Sequence, residues 1–230
     1  MILAFNTSTP QYSLAVLGSQ GAVHAEYQLS SGTKNFSNFL PSIDSLLSLS
    51  QSNLHDLKAL ILAIGPGSYT GLRVGLSAAK GMAHALRIPI IGVSSLEALA
   101  HQLPCSAHRI CTIIDSRKGE FFCALFVWSD DRKLVRLRDD TALKIERLDE
   151  FIDERTLIIG NDFRRQGDLL RSIHGPKALL APAHLWGLRA SSVGALGLLR
   201  FHKGDFDHPR DLVPAYLRPP DIRPTPISPG

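Results

Sequence analysis

Apolar residues in the first 30 positions fall in short blocks, and three of these, residues 2–5, 12–17 and 22–29, predict a meander of β-strands. Gly18-Ser19-Gln20-Gly21 supplies a tight connection between the second and third. After the polar stretch 30–34 the period changes. Phe36, Leu40, Ile43 and Leu47 recur at helical spacing, and Phe39 and Leu46 widen the stripe, so 36–50 reads as an amphipathic helix. Pro41 lies inside that pattern, so the helix starts near Asn38 or kinks in its first turn. Residues 57–64 return to strand character, 72–86 make a helix of mostly small side chains, and 88–93 make another strand. Ser94 or Ser95 caps a short helix reaching Leu103.

A second β-rich unit begins near residue 104. Residues 109–115 and 120–127 read as strands about a turn at Ser116-Arg117-Lys118-Gly119, with a third strand at 134–138. Helices at 148–153 and 163–173 flank a strand at 156–160, and a last Ala/Gly-rich helix covers 190–203. The prolines at 219, 220, 224, 226 and 229 predict a disordered tail over 219–230. The layout is β-β-β-α-β-α-β-α followed by a similar, degraded β-rich half.

Composition narrows the class. A chain of 230 residues that is 44% hydrophobic has enough apolar material for a substantial core, as one large domain or two small ones. The first 30 residues lack the Lys/Arg start and unbroken apolar core of a secretory signal, and no apolar run has membrane-spanning length. Cys105, Cys111 and Cys123 are odd in number without Cys-x-x-Cys spacing, which suits reduced thiols in a soluble, cytoplasmic protein. The net charge of +4 leans basic. Arg132, Lys133, Arg136 and Arg138 cluster near a hairpin and Arg164-Arg165 form a second group, but no aromatic residues interleave with them to stack bases. A solvated face is the plainer reading of both.

The chemistry on offer centres on Gly65-Pro66-Gly67-Ser68-Tyr69-Thr70-Gly71-Leu72-Arg73-Val74-Gly75, between a strand and a helix. A P-loop fails because Leu72-Arg73 stands where Lys-Ser/Thr belongs, and a dinucleotide fingerprint fails because the third glycine comes one residue late. No nucleophile elbow surrounds Ser68. A looser anion site at the helix start is left, with Gly67, Ser68 and Gly71 as its residues. The competing reading is a tight corner whose glycines permit close packing. None of the nine histidines is paired at four-residue spacing, so no metal site is read. Asp115, at a strand end, is as well explained by a turn as by catalysis. No catalytic residue is legible.

The glycine segment, continuing through Ala79-Lys80-Gly81 to Ile91-Gly92-Val93-Ser94-Ser95-Leu96, resembles the TsaB (YeaZ) family, the partner subunits of tRNA threonylcarbamoyladenosine modification in bacteria. Residues 2–9, Ile114-Asp115-Ser116-Arg117 and Pro214-Ala215-Tyr216-Leu217-Arg218 agree with the family in the same order, and the likeness spans about residues 1–218. The resemblance implies an α/β, actin/Hsp70-like (ribonuclease H-like) fold of two duplicated lobes with mixed central sheets. One lobe would take residues 1–103 plus about 190–218, and the second, degenerate lobe 104–189. It also implies a division of labour. TsaD binds metal and nucleotide and transfers the threonylcarbamoyl group from its adenylate to N6 of adenosine 37 in tRNAs reading ANN codons. TsaB is a noncatalytic scaffold and activator that binds TsaD, works alongside TsaE through the complex, and forms a homodimer when isolated. No cofactor, no membrane and at most indirect or weak tRNA contact follow from that reading.

The chain departs from the family in placing Asn6 where Asp is usual, and an amide holds Mg²⁺ and its waters less strongly than a carboxylate. Asn35, Phe36 and Asn38 also stand where relatives often carry His, Ser and Glu. The resemblance places the partner surface on the helices near 36–50 and 72–86. Its implied contacts are Phe36, Phe39, Leu40, Ile43 and Leu47 on the first, and Gly75, Leu76, Ala79, Lys80 and Ala83 on the second. At least half of the first set should instead serve the protein's own core. Two rivals are a small-molecule kinase or nucleotide hydrolase of the same fold, which needs nucleotide between the lobes, and a peptidase, which needs metal ligands or a nucleophile.

Overall fold

The computed structural model describes residues 1–29, 36–116, 119–152, 154–174 and 177–218. The expected tail at 219–230, Asn35 and the Arg117-Lys118 part of the second turn lie outside these.

Three short blocks do form strands: β1 (Ile2–Asn6), β2 (Ser13–Leu17) and β3 (Val23–Gln28). With β4 (Ala59–Gly65) and β5 (Ile90–Ser94) they make a mixed sheet in the order β3-β2-β1-β4-β5. β1 pairs antiparallel with β2 and parallel with β4. Both faces of β1 are covered, and alternation sorts its residues. Leu3 and Phe5 point toward α1 (Phe39–Leu49) and α2 (Tyr69–Leu86), whereas Ile2 and Ala4 join the layer of α3 (Ser95–His101) and α6 (Ala190–Phe201).

The second sheet contains β6 (Arg109–Asp115), β7 (Glu120–Trp128), β8 (Leu134–Lys144), β9 (Thr156–Gly160) and β10 (Ala178–Leu180). Its order is β10-β9-β6-β7-β8, with β6 antiparallel to β7 and parallel to β9. Read from β8, this repeats the pairing of the first sheet strand for strand. One continuous apolar core joins the two, running from Ile2 and Ile61 through Leu96 and Leu99 of α3 to Ile113 and Leu125. α4 (Leu148–Phe151) and α5 (Phe163–His174) complete the second half.

Several boundaries move for physical reasons. α1 begins at Phe39, which puts Pro41 in the first turn, where its missing N–H forfeits no helical bond. α2 begins at Tyr69 rather than 72, because the Ser68 hydroxyl accepts the Gly71 N–H at 3.3 Å and caps it. Ser94 caps α3 through the Glu97 N–H in the same way. β8 runs six residues past the expected 138, carrying Asp139 and Asp140 across a register shift opposite Cys123 and Leu125. β10 has no counterpart in the expectation, since three residues carry no readable period.

A closed polar turn and a candidate protein-docking face

The turn after β1 is polar yet sealed: Asn6, Thr7, Ser8 and Thr9 are all buried. Buried polar groups need partners, and here they find them in one another. The Asn6 Nδ2 donates to Thr9 Oγ1 at 3.0 Å and to the carbonyls of Gln11 and Leu188 at 3.3 and 3.5 Å. Asn6 Oδ1 accepts the Ser8 N–H at 2.8 Å and the Ser8 hydroxyl at 2.6 Å, and the Ser95 hydroxyl donates to Ser8 Oγ at 2.9 Å. An amide suits residue 6, because its nitrogen donates to two carbonyl oxygens that an ionised carboxylate could only face unpaired. Its hydrogen-bonding capacity is spent inside the fold.

The glycine corner packs directly on this turn. A Cβ at Gly67 would lie 2.1 Å from the Ser8 carbonyl oxygen, one at Gly71 2.0 Å from the Thr7 carbonyl oxygen, and one at Gly75 2.2 Å from Thr7 Oγ1. The Ser68 N–H donates to the Ser8 carbonyl at 2.6 Å. Gly67 and Gly71, two of the three residues of the expected anion site, thus face the carbonyl oxygens of Ser8 and Thr7, and the third, Ser68, donates its N–H to the Ser8 carbonyl and caps α2 with its hydroxyl. The corner is a packing device.

The ten expected partner contacts divide by burial. Phe39, Ile43, Leu47, Leu76, Ala79 and Ala83 are buried in the protein's own core, and Gly75 is pressed against Thr7. The small-residue face of α2 packs on β4 and the turn after β1, so these seven serve the protein's own core, and of them Ile43 also reaches the surface cleft between α1 and α2. Leu40 is 58% exposed, and Phe36 and Lys80 are half-buried. Gly194 and Gly197 of α6 meet the same need, their Cβ positions falling 2.6 Å from Leu17 and 2.3 Å from Ile61.

The reverse side of the same two helices stays open. Leu40, Ile43 and Asp44 of α1, Leu54 of the following turn, and Met82, Ala85 and Leu86 of α2 line an apolar cleft of about 220 Å³. Of these, sequence reasoning named only Leu40 and Ile43. It missed Asp44, Leu54, Met82, Ala85 and Leu86, because the lining comes from three separate segments that only tertiary packing places together. Gly81 also faces outward with no atom within 4 Å of its Cβ position.

The other sequence candidates are accounted for locally. Asp115 pairs with Arg165 at 3.0 Å, and its N–H donates to Asn161 Oδ1, which Gln166 also holds. The hairpin basics have partners too. Arg136 meets Asp140, lies 3.6 Å from Glu97 and stacks over Phe126, Arg138 stacks over Phe151, and Lys133 reaches Asp131 at 3.8 Å. Among the described residues, no three His, Cys, Asp or Glu side chains converge as metal ligands, and no helix is long and apolar enough to cross a membrane.

Comparison with known proteins is consistent with this picture. The family model described as TsaD, tRNA N6-adenosine threonylcarbamoyltransferase, matches residues 32–188. The chain is 32% identical over 221 residues to the tRNA threonylcarbamoyladenosine biosynthesis protein TsaB of Bacillus subtilis, covering 94% of this chain and 93% of that one. The crystallised YeaZ from Pseudomonas aeruginosa superposes with a TM-score of 0.77 at 24% identity, over 94% of this chain and 99% of that chain. An activator of the 2-hydroxyisocaproyl-CoA dehydratase from Clostridium difficile, solved with bound ADPNP, superposes at 0.52 with 10% identity, over 90% of this chain and 98% of that one. The fold is the actin/Hsp70-like one, with two mixed sheets of repeated topology.

Proposed function

Because the chain belongs to the TsaB (YeaZ) family, and so has a role in tRNA threonylcarbamoyladenosine biosynthesis, we propose that its part there is noncatalytic: it docks TsaD through the outer face of α1 and α2 and activates it. The observation that carries this reading is the open apolar cleft, with Leu40 58% and Leu54 42% exposed beside Met82, Ala85 and Leu86. Exposed leucines gathered at one groove favour a protein partner over water. A partner helix seated there would bury them under its own apolar side chains at i, i+3 and i+4 spacing.

The polar turn supports the noncatalytic half. A kinase or hydrolase of this fold needs a group at residue 6 free to organise a metal and phosphate, whereas the Asn6 amide is committed to Ser8, Thr9, Gln11 and Leu188. TsaE acts on the complex through TsaD, and in the absence of TsaD the same face pairs two copies of this chain. Contact with tRNA is indirect.

The test is complex formation with the cognate TsaD, read as solution mass and as a dissociation constant. The intact chain should bind at about micromolar affinity or tighter. Leu40→Asp, which puts a charge in the cleft of an otherwise unaltered fold, should weaken binding roughly thirtyfold, as loss of a central anchor does. Threonylcarbamoyladenosine formation by TsaD should fall in step. Binding that is indifferent to Leu40→Asp would remove the cleft from the interface.

A further inference from the structure

Two sequence-distant segments that carry the family resemblance, the glycine corner and the stretch ending at Arg218, meet on the molecule, and the second of them also reaches Glu120 at the start of β7. The chain leaves α6 and runs back along the outer edge of β5. The Asp207 N–H donates to the Ile90 carbonyl at 3.0 Å, its carboxylate accepts the Gly92 N–H at 2.7 Å, and Arg200 holds the same carboxylate. Leu212 is buried, against Gly92.

The segment then crosses the end of β4. The Ala215 N–H donates to the Ile64 carbonyl at 2.8 Å, and the Ala215 carbonyl approaches Gly65 so closely that a Cβ there would stand 2.6 Å away. Gly65 also has φ +122°, so this one position demands glycine twice over. Next, the Tyr216 ring lies 5.0 Å from that of Tyr69, the first residue of α2, and the Arg73 guanidinium covers the Tyr69 ring from 5.0 Å. Leu217 packs on the large core, and Arg218 forms an ion pair with Glu120, the first residue of β7 in the second sheet.

We propose that residues 212–218 act as a strap that ties the first turn of α2 to the second sheet, with Tyr216 and Arg218 as positioning residues for the docking face. Tyr216 holds the helix start and Arg218 holds the other lobe. The strap therefore fixes both the orientation of α2 and the angle between the sheets before any partner arrives. Neither residue lies in the α1–α2 cleft, so they act on docking only through α2. A preformed face binds without first having to be ordered, and releasing the strap restores that ordering cost. This inference rests on the docking reading above.

Hydrogen exchange on the isolated chain and affinity for TsaD together test it, using Tyr216→Ala, Arg218→Glu, Glu120→Arg and the Glu120→Arg/Arg218→Glu swap. Exchange should rise about tenfold at amides 65–73 in the single variants while amides 39–49 stay protected. Affinity should fall roughly tenfold in each single variant, and the swap should restore both readouts. Unchanged exchange at 65–73 in Tyr216→Ala and Arg218→Glu would overturn the strap. Raised exchange with undiminished affinity would overturn its positioning role. Leu40→Asp, run in parallel, reports on the docking face alone, so its failure to weaken binding is distinguishable from failure of the strap.

Discussion

Two glycines of one helix should respond oppositely to the same substitution. Gly71 and Gly81 both lie within α2 (Tyr69–Leu86), and alanine should gain roughly 1 kcal/mol of helix propensity at either. At Gly81 nothing stands within 4 Å of the new methyl, so that gain is realised in full. At Gly71 the methyl would fall 2.0 Å from the Thr7 carbonyl oxygen and 3.2 Å from Phe36 Cζ. The Thr7 backbone cannot yield cheaply, because Asn6 and Ser8 on either side are held by the buried network reaching Ser95. Either that network loses a bond, at about 1 kcal/mol, or α2 lifts and strains the core, at about 1–3 kcal/mol. After the propensity gain, Gly71→Ala should destabilise by up to about 2 kcal/mol. With roughly 2–4 °C per kcal/mol for a chain of this size, its Tm should fall by up to about 8 °C and that of Gly81→Ala rise by about 2–4 °C. Thermal unfolding followed by circular dichroism, backed by urea titration, measures both. A Gly71→Ala protein melting above the wild type, as Gly81→Ala should, would refute the reading of the glycine corner as a close-packed contact.

Two other outcomes follow from buried titratable groups. Burial of His101, whose ring lies 5.6 Å from that of Trp128, lowers its pKa below the ordinary 6.5. The unfolded chain then binds the proton more readily, so the contribution is present above pH 6.5 and is lost as pH falls through the window below it. Wild-type Tm should drop more steeply than that of His101→Gln between about pH 6.5 and 5, and parallel curves would contradict this. Burial also pushes the Cys111 thiol up to about 12 and raises Cys123 well above its usual range, whereas Cys105 is exposed. A thiol reagent near pH 8 should therefore titrate Cys105 alone in the native chain and all three cysteines after denaturation. Rapid native reaction at Cys111 would show that the β6–β7 core opens.

Local pattern made most elements legible. The change from strand blocks to helical spacing at Phe36 marked α1, and a serine at 94 or 95 was legible as the cap of α3, which Ser94 proves to be. Those signals act within one or two turns of chain, so they survive in sequence alone. The three residues of β10 and the charged extension of β8 did not, since an edge strand is held by its neighbour more than by its own composition.

The candidate site was read less well, for a different reason. α2 is small on two sides. Gly71, Gly75, Ala79 and Ala83 form one stripe and Ser77, Gly81 and Ala85 another, and nothing in the spacing says which one the sheet will cover. The sequence by itself determined the α/β class, the run of elements and the need for close approach at the glycine corner, because these follow from periodicity and backbone sterics. Only the tertiary structure decided that the approach comes from Thr7 and Ser8, that Ala85 of the other stripe joins Leu40, Leu54 and Met82 in an open cleft, and that Tyr216 and Arg218 reach back across the lobes. Those are contacts between residues tens to more than a hundred positions apart, and they are set by how the layers pack.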